Sequence, residues 1–302
     1  MFNRNKSMQA LPATRAEATA WAFNNVLEPK NMVTMMSEID ATAVQRLRDS
    51  YKLNGLEAPT MTAIVIKAAA LTMKAFPDAN RAILGMPGFR KLYQFHHTDI
   101  SVAVEKNLPY LPGQAFATPL KDTLAKPLNS LSRELRDLAA CDETNNEQLR
   151  TFMRILRWFP TPIALLLINM PMLIPSLWSK YRGCACWVNA PSKSGVDTVM
   201  TTWPWPLSFS FGFVKPRPFV VGNKIEARPT MPLVMVFDRR VMGGGPAGRV
   251  FMYFKNLLEN ADQMLAEHGQ ELPSKSSALE PSPIETDGKS PLIDVEVARL
   301  EN

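Results

Sequence analysis

Between Trp158 and Ser179 the chain runs for 22 residues without a charge, WFPTPIALLLINMPMLIPSLWS. No other stretch limits the fold as much, because about 20 apolar residues are enough to cross a bilayer. Four prolines, Pro160, Pro162, Pro171 and Pro175, punctuate it. Proline removes an amide donor and clashes with the preceding turn, so Pro171 and Pro175 predict breaks, whereas Pro162 suits the first position of a helix. A single straight transmembrane helix is therefore not expected. Arg150, Arg154 and Arg157 precede the run and Lys180 and Arg182 follow it, the flanks of a segment that lies at a membrane interface. Two placements stay open. One is an apolar hairpin that covers the core or lines a greasy substrate channel; the other is a membrane-surface or acyl-chain contact through 158–179.

The remainder reads as an ordinary globular protein. With 302 residues, 46% hydrophobic and 21% charged, the chain can bury the core of one large domain or two small ones. Its basic residues are scattered, so the net charge of +6 does not point to nucleic acid. Three cysteines, Cys141, Cys184 and Cys186, are too few for a disulfide framework. A reduced, cytoplasmic location is expected, peripheral to a membrane if the apolar run docks there. The first 20 residues lack an apolar segment, so no secretory signal is expected.

Periodicity places the elements. Asp40 is expected to cap a helix carrying Val44, Leu47 and Tyr51 and stopping at Gly55. Thr60 should cap the nearly all-apolar helix TAIVIKAAALTMKAF, which Pro77 ends; so apolar a helix is buried on most sides. LYQFHHTDISVAVE (92–105) predicts one or two strands, and LNSLSRELRDLAACD (128–142) an amphipathic helix. Strands are expected at 183–190, where Cys184 and Cys186 share a side, and at 207–214, 224–229 and 231–237. A last helix should run from Pro246 to Glu267, and the Ser/Pro-rich 269–302 predicts a disordered tail. The pattern is α+β, a mixed sheet and helices in two layers. Residues 1–29 form an extension, and one domain covers 30–268 with an apolar insert at about 150–182.

The segment FDRRVMGGG (237–245) has the shape of a catalytic turn: strand, polar turn, glycines, helix. With its surroundings, RPTMPLVMVFDRRVMGGGPAGRVFMYFKNLLEN, it resembles the end of the catalytic domain of 2-oxo acid dehydrogenase dihydrolipoyl acyltransferases, whose fold chloramphenicol acetyltransferase shares. The family turn reads DHRxxDGxxxxRF. In order along the chain, EIDATAVQRLR, FPDANRAI, TDISVAVEKN and CWVNAPSKSGVD resemble further family stretches. The resemblance covers about residues 30–268. It implies a homotrimer or a multiple of trimers, and an acyl thioester of coenzyme A or of an acyl carrier protein as substrate. It implies no metal.

Carried over by position, Asp238 and Arg240 keep the family's identities. Arg239 stands at the catalytic histidine and Gly243 at the aspartate. The family histidine takes a proton from a thiol; a guanidinium has no lone pair for it and stays charged. For the oxyanion-stabilising hydroxyl, a gap-free count from Gly195 gives Met200, and a one-residue shift gives Thr201, with Thr202 beyond. Nothing before residue 30 offers a lipoyl domain, so the acyl donor is expected from outside. Of the three histidines, His268 suits a helix end, while His96 and His97 are expected on a strand beside the substrate channel, one of them inward. His97 is thus a candidate relocated base, with a hydrogen-bonded core residue as the alternative. The glycines at 243–245 suit either a tight turn or an anion-holding nest. Two functions follow: an active acyltransferase with a relocated base or substrate assistance, and a trimeric binding or scaffold subunit whose transfer is weak or lost.

Overall fold

The computed structural model describes residues 31–86, 89–108, 111–190, 195–201 and 204–266. The expected extension, the tail, Thr202 and His268 lie outside them. The described part opens with β1 (Met32–Asp40), then α1 (Thr42–Leu53) and α2 (Met61–Ala75). A short hairpin, β2 (Arg81–Leu84) and β3 (Lys91–Gln94), precedes the long pair β4 (Ile100–Leu108) and β5 (Leu111–Leu120). Four helices follow: α3 (Leu128–Ala140), α4 (Glu147–Trp158), α5 (Thr161–Leu173) and α6 (Pro175–Tyr181). The chain then lays down β6 (Cys186–Asn189), β7 (Leu207–Phe211), β8 (Lys215–Val221) and β9 (Lys224–Asp238), and closes with α7 (Gly244–Glu259) and α8 (Ala261–Met264).

One seven-stranded sheet runs β1-β9-β7-β6-β4-β5, with β8 beside the first half of β9. The β4–β6 and β6–β7 pairs are parallel and the others antiparallel. The α+β class with a mixed sheet is as expected. Helix α2 explains the helical layer: ten of its fifteen residues are buried, and it packs on β6, α3 and α7. Each buried Ile or Val there contributes about 1.5–3 kcal/mol. The Thr60 side chain accepts from the Ala63 amide at 3.2 Å, a cap worth about 1 kcal/mol. Phe209 of β7 stacks on Phe254 of α7 at 4.0 Å, so by alternation Trp187 and Ser208 face the other way. On that second face Trp205 stacks on Trp187 at 5.3 Å and meets Trp178 of α6 edge-on.

Several expectations are corrected. Residues 32–40 are a strand, so Asp40 ends β1; its carboxylate still takes the Thr42 amide at 2.8 Å, one position ahead of the cap residue Ala41. The strands expected at 224–229 and 231–237 are one strand. Thr230 joins them, and β9 changes neighbours there, from β8 to β1 and β7. Strand β8 was unexpected because Pro216 and Pro218 look like a loop; both are exposed, on the kind of edge where proline is tolerated. The last helix breaks at Asn260 rather than running on. In the apolar run Pro171 does not break α5: it lies buried within it, two residues before the end, where only one bond of the last turns is lost. The break comes at Ile174, and α5 and α6 meet at 101°. No single helix among the described residues is long and apolar enough to cross a membrane.

Candidate functional site

Strand pairing gathers the candidate residues at one end of the sheet. Phe237, Leu207 and Cys186 form a cross-strand row that Ile100 and Leu120 continue, one step outward of the Ser101–Trp187 pair that joins β4 to β6. Asp238, Pro206, Ala185, Asp99 and Lys121 are the next residues outward, each one step beyond its strand's place in the row. The turn after β9 is held by Asp238, a buried residue. Its amide donates to the Pro206 carbonyl at 2.7 Å and its own carbonyl accepts from Val241 and Met242. Its carboxylate takes the Arg240 amide at 2.9 Å and the Arg240 guanidinium at 2.6 Å. This contact raises the Arg240 pKa above its ordinary value, so Arg240 is a fixed cation committed to the turn.

Arg239 is placed differently. Its amide donates to the Asn31 carbonyl at 2.9 Å, and the residue is exposed. Among the described residues its side chain has no ion pair, and Asp238, the nearest carboxylate in sequence, is already held by Arg240. Gly243 is the cap of α7 in an ordinary extended conformation, φ −72° and ψ 167°. A methyl group there would meet only Pro246, at 3.9 Å, and at Gly244 and Gly245 nothing within 4 Å. Neither backbone nor packing therefore demands glycine in this run, whose residues cap and open α7 directly behind the tight turn at 238–242. Thr201 comes to the same end of the sheet, since Ser208 of β7 donates to its carbonyl at 3.4 Å. The Thr201 hydroxyl is buried without a hydrogen-bond partner among the described residues. Met200, by contrast, is exposed.

His97 is not on a strand. It sits in the turn between β3 and β4, half-buried, its ring edge-on to Phe95 at 5.7 Å, while His96 is exposed. Its Nδ1 lies 3.4 Å from the Asp99 carboxylate. Asp99, which sequence reading missed, is buried and also accepts from Lys121 at 2.8 Å and from the Asp122 amide at 3.0 Å. The signal was available in the adjacent HHTD. Asn80 pins this turn: its amide nitrogen donates to the carbonyls of Phe95 and His97, and its oxygen takes the Ala185 amide. Three strand spacings separate β4 from β9, roughly 14 Å. Within one chain, His97 and the turn at 238–243 do not reach a common atom. A cleft of ≈ 600 Å³, lined by Lys121, Lys126, Glu134 and Cys141 among others, opens on the His97 side of the sheet.

Cys184, Cys186, Lys106 and Arg182 serve the structure. Burial pushes the Cys184 thiol up to about 12 and Cys186 well above its usual value, so both stay protonated and inert. Lys106 donates to the carbonyls of Leu138, Ala139 and Cys141, closing the end of α3. Arg182 is buried over the Trp205 ring at 4.9 Å, and desolvation lowers its pKa to about 10. No group of three His, Cys, Asp or Glu residues that would hold a metal ion occurs among the described residues.

Comparison with known proteins gives a consistent picture. The family model for 2-oxoacid dehydrogenases acyltransferase (catalytic domain) matches residues 8–150 and 209–266. The dihydrolipoyllysine-residue acetyltransferase component of the pyruvate dehydrogenase complex of Staphylococcus aureus is 22% identical over 267 residues, 87% of this chain and 54% of that protein. The chain spans about half the length of the curated relatives it matches. Among solved structures, the cubic core of the pyruvate dehydrogenase multienzyme complex superposes with a TM-score of 0.62 at 18% identity, covering 87% of this chain and 96% of that one. The dihydrolipoamide acetyltransferase of Azotobacter vinelandii gives 0.62 at 18%, covering 86% and 95%. At these identities the two structures establish the fold.

Proposed function

The chain belongs to the 2-oxoacid dehydrogenase acyltransferase (catalytic domain) family, and on that premise we propose that it binds an acyl thioester at the turn after β9 and transfers its acyl group slowly. The thioester is one of coenzyme A or of an acyl carrier protein. The observation that carries the reading is the chemistry at the turn. Transfer needs a thiol to lose its proton, the thiolate to attack the acyl carbonyl, and the first thiolate to leave. Neither Arg239 nor Arg240 accepts the first proton. What the turn offers instead is the exposed cation of Arg239, without an ion pair among the described residues and suited to an anionic group of the ligand. The protein is cytoplasmic in this reading and, like the cubic core whose fold it shares, assembles from several chains. We expect a trimer or a multiple of trimers, and light scattering returning one chain of 33.7 kDa would count against it.

A second reading rests on one specific contact, the His97–Asp99 approach at 3.4 Å. A carboxylate beside a histidine can hold it as a general base; here Nδ1 makes no hydrogen bond among the described residues, and it is Lys121, the partner of Asp99, that lines the cleft. The two readings separate in one experiment. Calorimetry should show acetyl-coenzyme A binding weakened about tenfold or more in Arg239→Ala, the loss of one charge-assisted contact. Transfer to a small thiol should stay as slow as before. Robust wild-type transfer that collapses in His97→Ala and survives Arg239→Ala would make the second reading correct.

A further inference from the structure

Residues 151–208 fall outside the family match, and within them the structure leaves an apolar surface in place. Helix α5, TPIALLLINMPML, has no charge, yet only Ala164 and Pro171 are buried. Trp158 is 72% exposed, Phe159 37%, Ile163 45% and Leu166 57%. They form one ridge, from the end of α4 through its connection into the first turns of α5. Beside it, α4 buries Leu149, Met153 and Leu156 on one face and sets Arg150, Arg154 and Arg157 at helical spacing on the other, all exposed.

The sequence segment that carries this ridge is one-sided in charge. From Gln148 to Val196 there is no Asp or Glu, while Arg150, Arg154, Arg157, Lys180, Arg182 and Lys193 fall within it. The other 28 basic residues equal the 28 acidic ones in number, so this segment accounts for the whole net charge of +6. Arg157 is bound to Glu143 at 3.0 Å. Arg150 donates to the backbone carbonyls of Glu143 and Thr144, which leaves its charge uncompensated. Arg154 has no ion pair among the described residues. The only carboxylate on α4 is Glu147, in its first turn.

We propose that the ridge Trp158–Leu166 and the α4 arginines dock this protein onto the surface of an anionic phospholipid bilayer. The apolar side chains enter the boundary between headgroups and acyl chains, and the arginines lie at the level of the phosphates. An exposed tryptophan at the edge of an apolar face, with cations beside it, is the chemistry of that interface. The attachment is peripheral, because the bent pair α5–α6 turns through 101°. A second copy related by a two-fold axis fits less well. A two-fold contact through this ridge would bring the same arginines face to face, which costs stability.

Co-sedimentation of the full chain with vesicles tests the proposal, using phosphatidylcholine alone and phosphatidylcholine with about a third phosphatidylglycerol. The protein is expected to pellet with the anionic vesicles at low salt and to be released by high salt. Replacing Trp158, Ile163 and Leu166 together by Ser should weaken pelleting at least about tenfold. All three are exposed, so the fold and the binding of acetyl-coenzyme A should be unchanged. Arg154→Glu should remove most of the preference for anionic vesicles. No pelleting with either vesicle, or a triple variant that pellets like the wild type, overturns the proposal. So does a triple variant whose mass by light scattering drops, which would assign the ridge to a contact between copies.

Discussion

Arg239→His combined with Gly243→Asp is expected to raise acyl transfer between acetyl-coenzyme A and a small thiol by about 10²–10⁴-fold, the usual contribution of a positioned general base. The scaffold is ready for both side chains. Arg239 is anchored through its amide to Asn31, and its side chain stabilises no described part of the protein. At Gly243 the backbone is extended and the space open, so an aspartate fits and caps α7 as well. Asp238 and Arg240 already hold the turn and need no change. Because Arg239→His removes the cation proposed to hold the ligand, the gain must be read as kcat at saturating thioester, with KM rising alongside. The pH profile gives an independent signature: activity should rise with pH through about 6.5, where a histidine loses its proton. Arginine has no such limb. An unchanged kcat with binding intact would mean that more than the base is missing from this site.

What the sequence disclosed and what it hid follow from the kind of signal each element carries. Helix α2 was legible because a capping threonine and a terminating proline bracket one unbroken apolar run. The strand–turn–helix at 237–245 was legible for the same reason, with its punctuation local. Helix α5 was not, since a helix apolar all round has no periodic contrast, and its prolines invited a break at Pro171 that the buried environment does not make. Strands β8 and β9 were obscured by Pro216, Pro218 and Pro229, residues that disfavour strands locally and are accommodated here by an edge position and a change of partner. The candidate site was half legible. Its residue types were, including the replacement of a base by Arg239. Its geometry was not: the pairing of Arg240 with Asp238, the burial of Asp99 and the roughly 14 Å between His97 and the turn all depend on strand order, which no local pattern encodes.

Gly183→Ala is expected to cost about 4 kcal/mol or more, a large share of the 5–15 kcal/mol that holds a domain together. The residue follows α6 with φ +70°, the left-handed conformation that ends helices and that a side chain opposes by about 1 kcal/mol. That term alone would be tolerable. The larger one is steric, because a methyl group would lie well inside contact distance of the Asp99 carbonyl oxygen and 2.9 Å from Pro119 Cβ. The carbonyl cannot yield freely, since it accepts the Cys184 amide at 2.8 Å. Through that bond the chain leaving the apolar helices is tied to β4 on its way into β6, beside the His97–Asp99 turn. Relief of the clash would therefore loosen the insert from the sheet and disturb the site end together. A fall in thermal midpoint on the order of 10 °C should follow, measured by circular dichroism. Gly222→Ala is the control. Its φ is +59° but nothing lies within 4 Å of an added methyl, so it isolates the backbone cost at about 1 kcal/mol. Equal losses in the two variants would show that Gly183 is kept for its conformation alone and that the crossing at Asp99 has room to give.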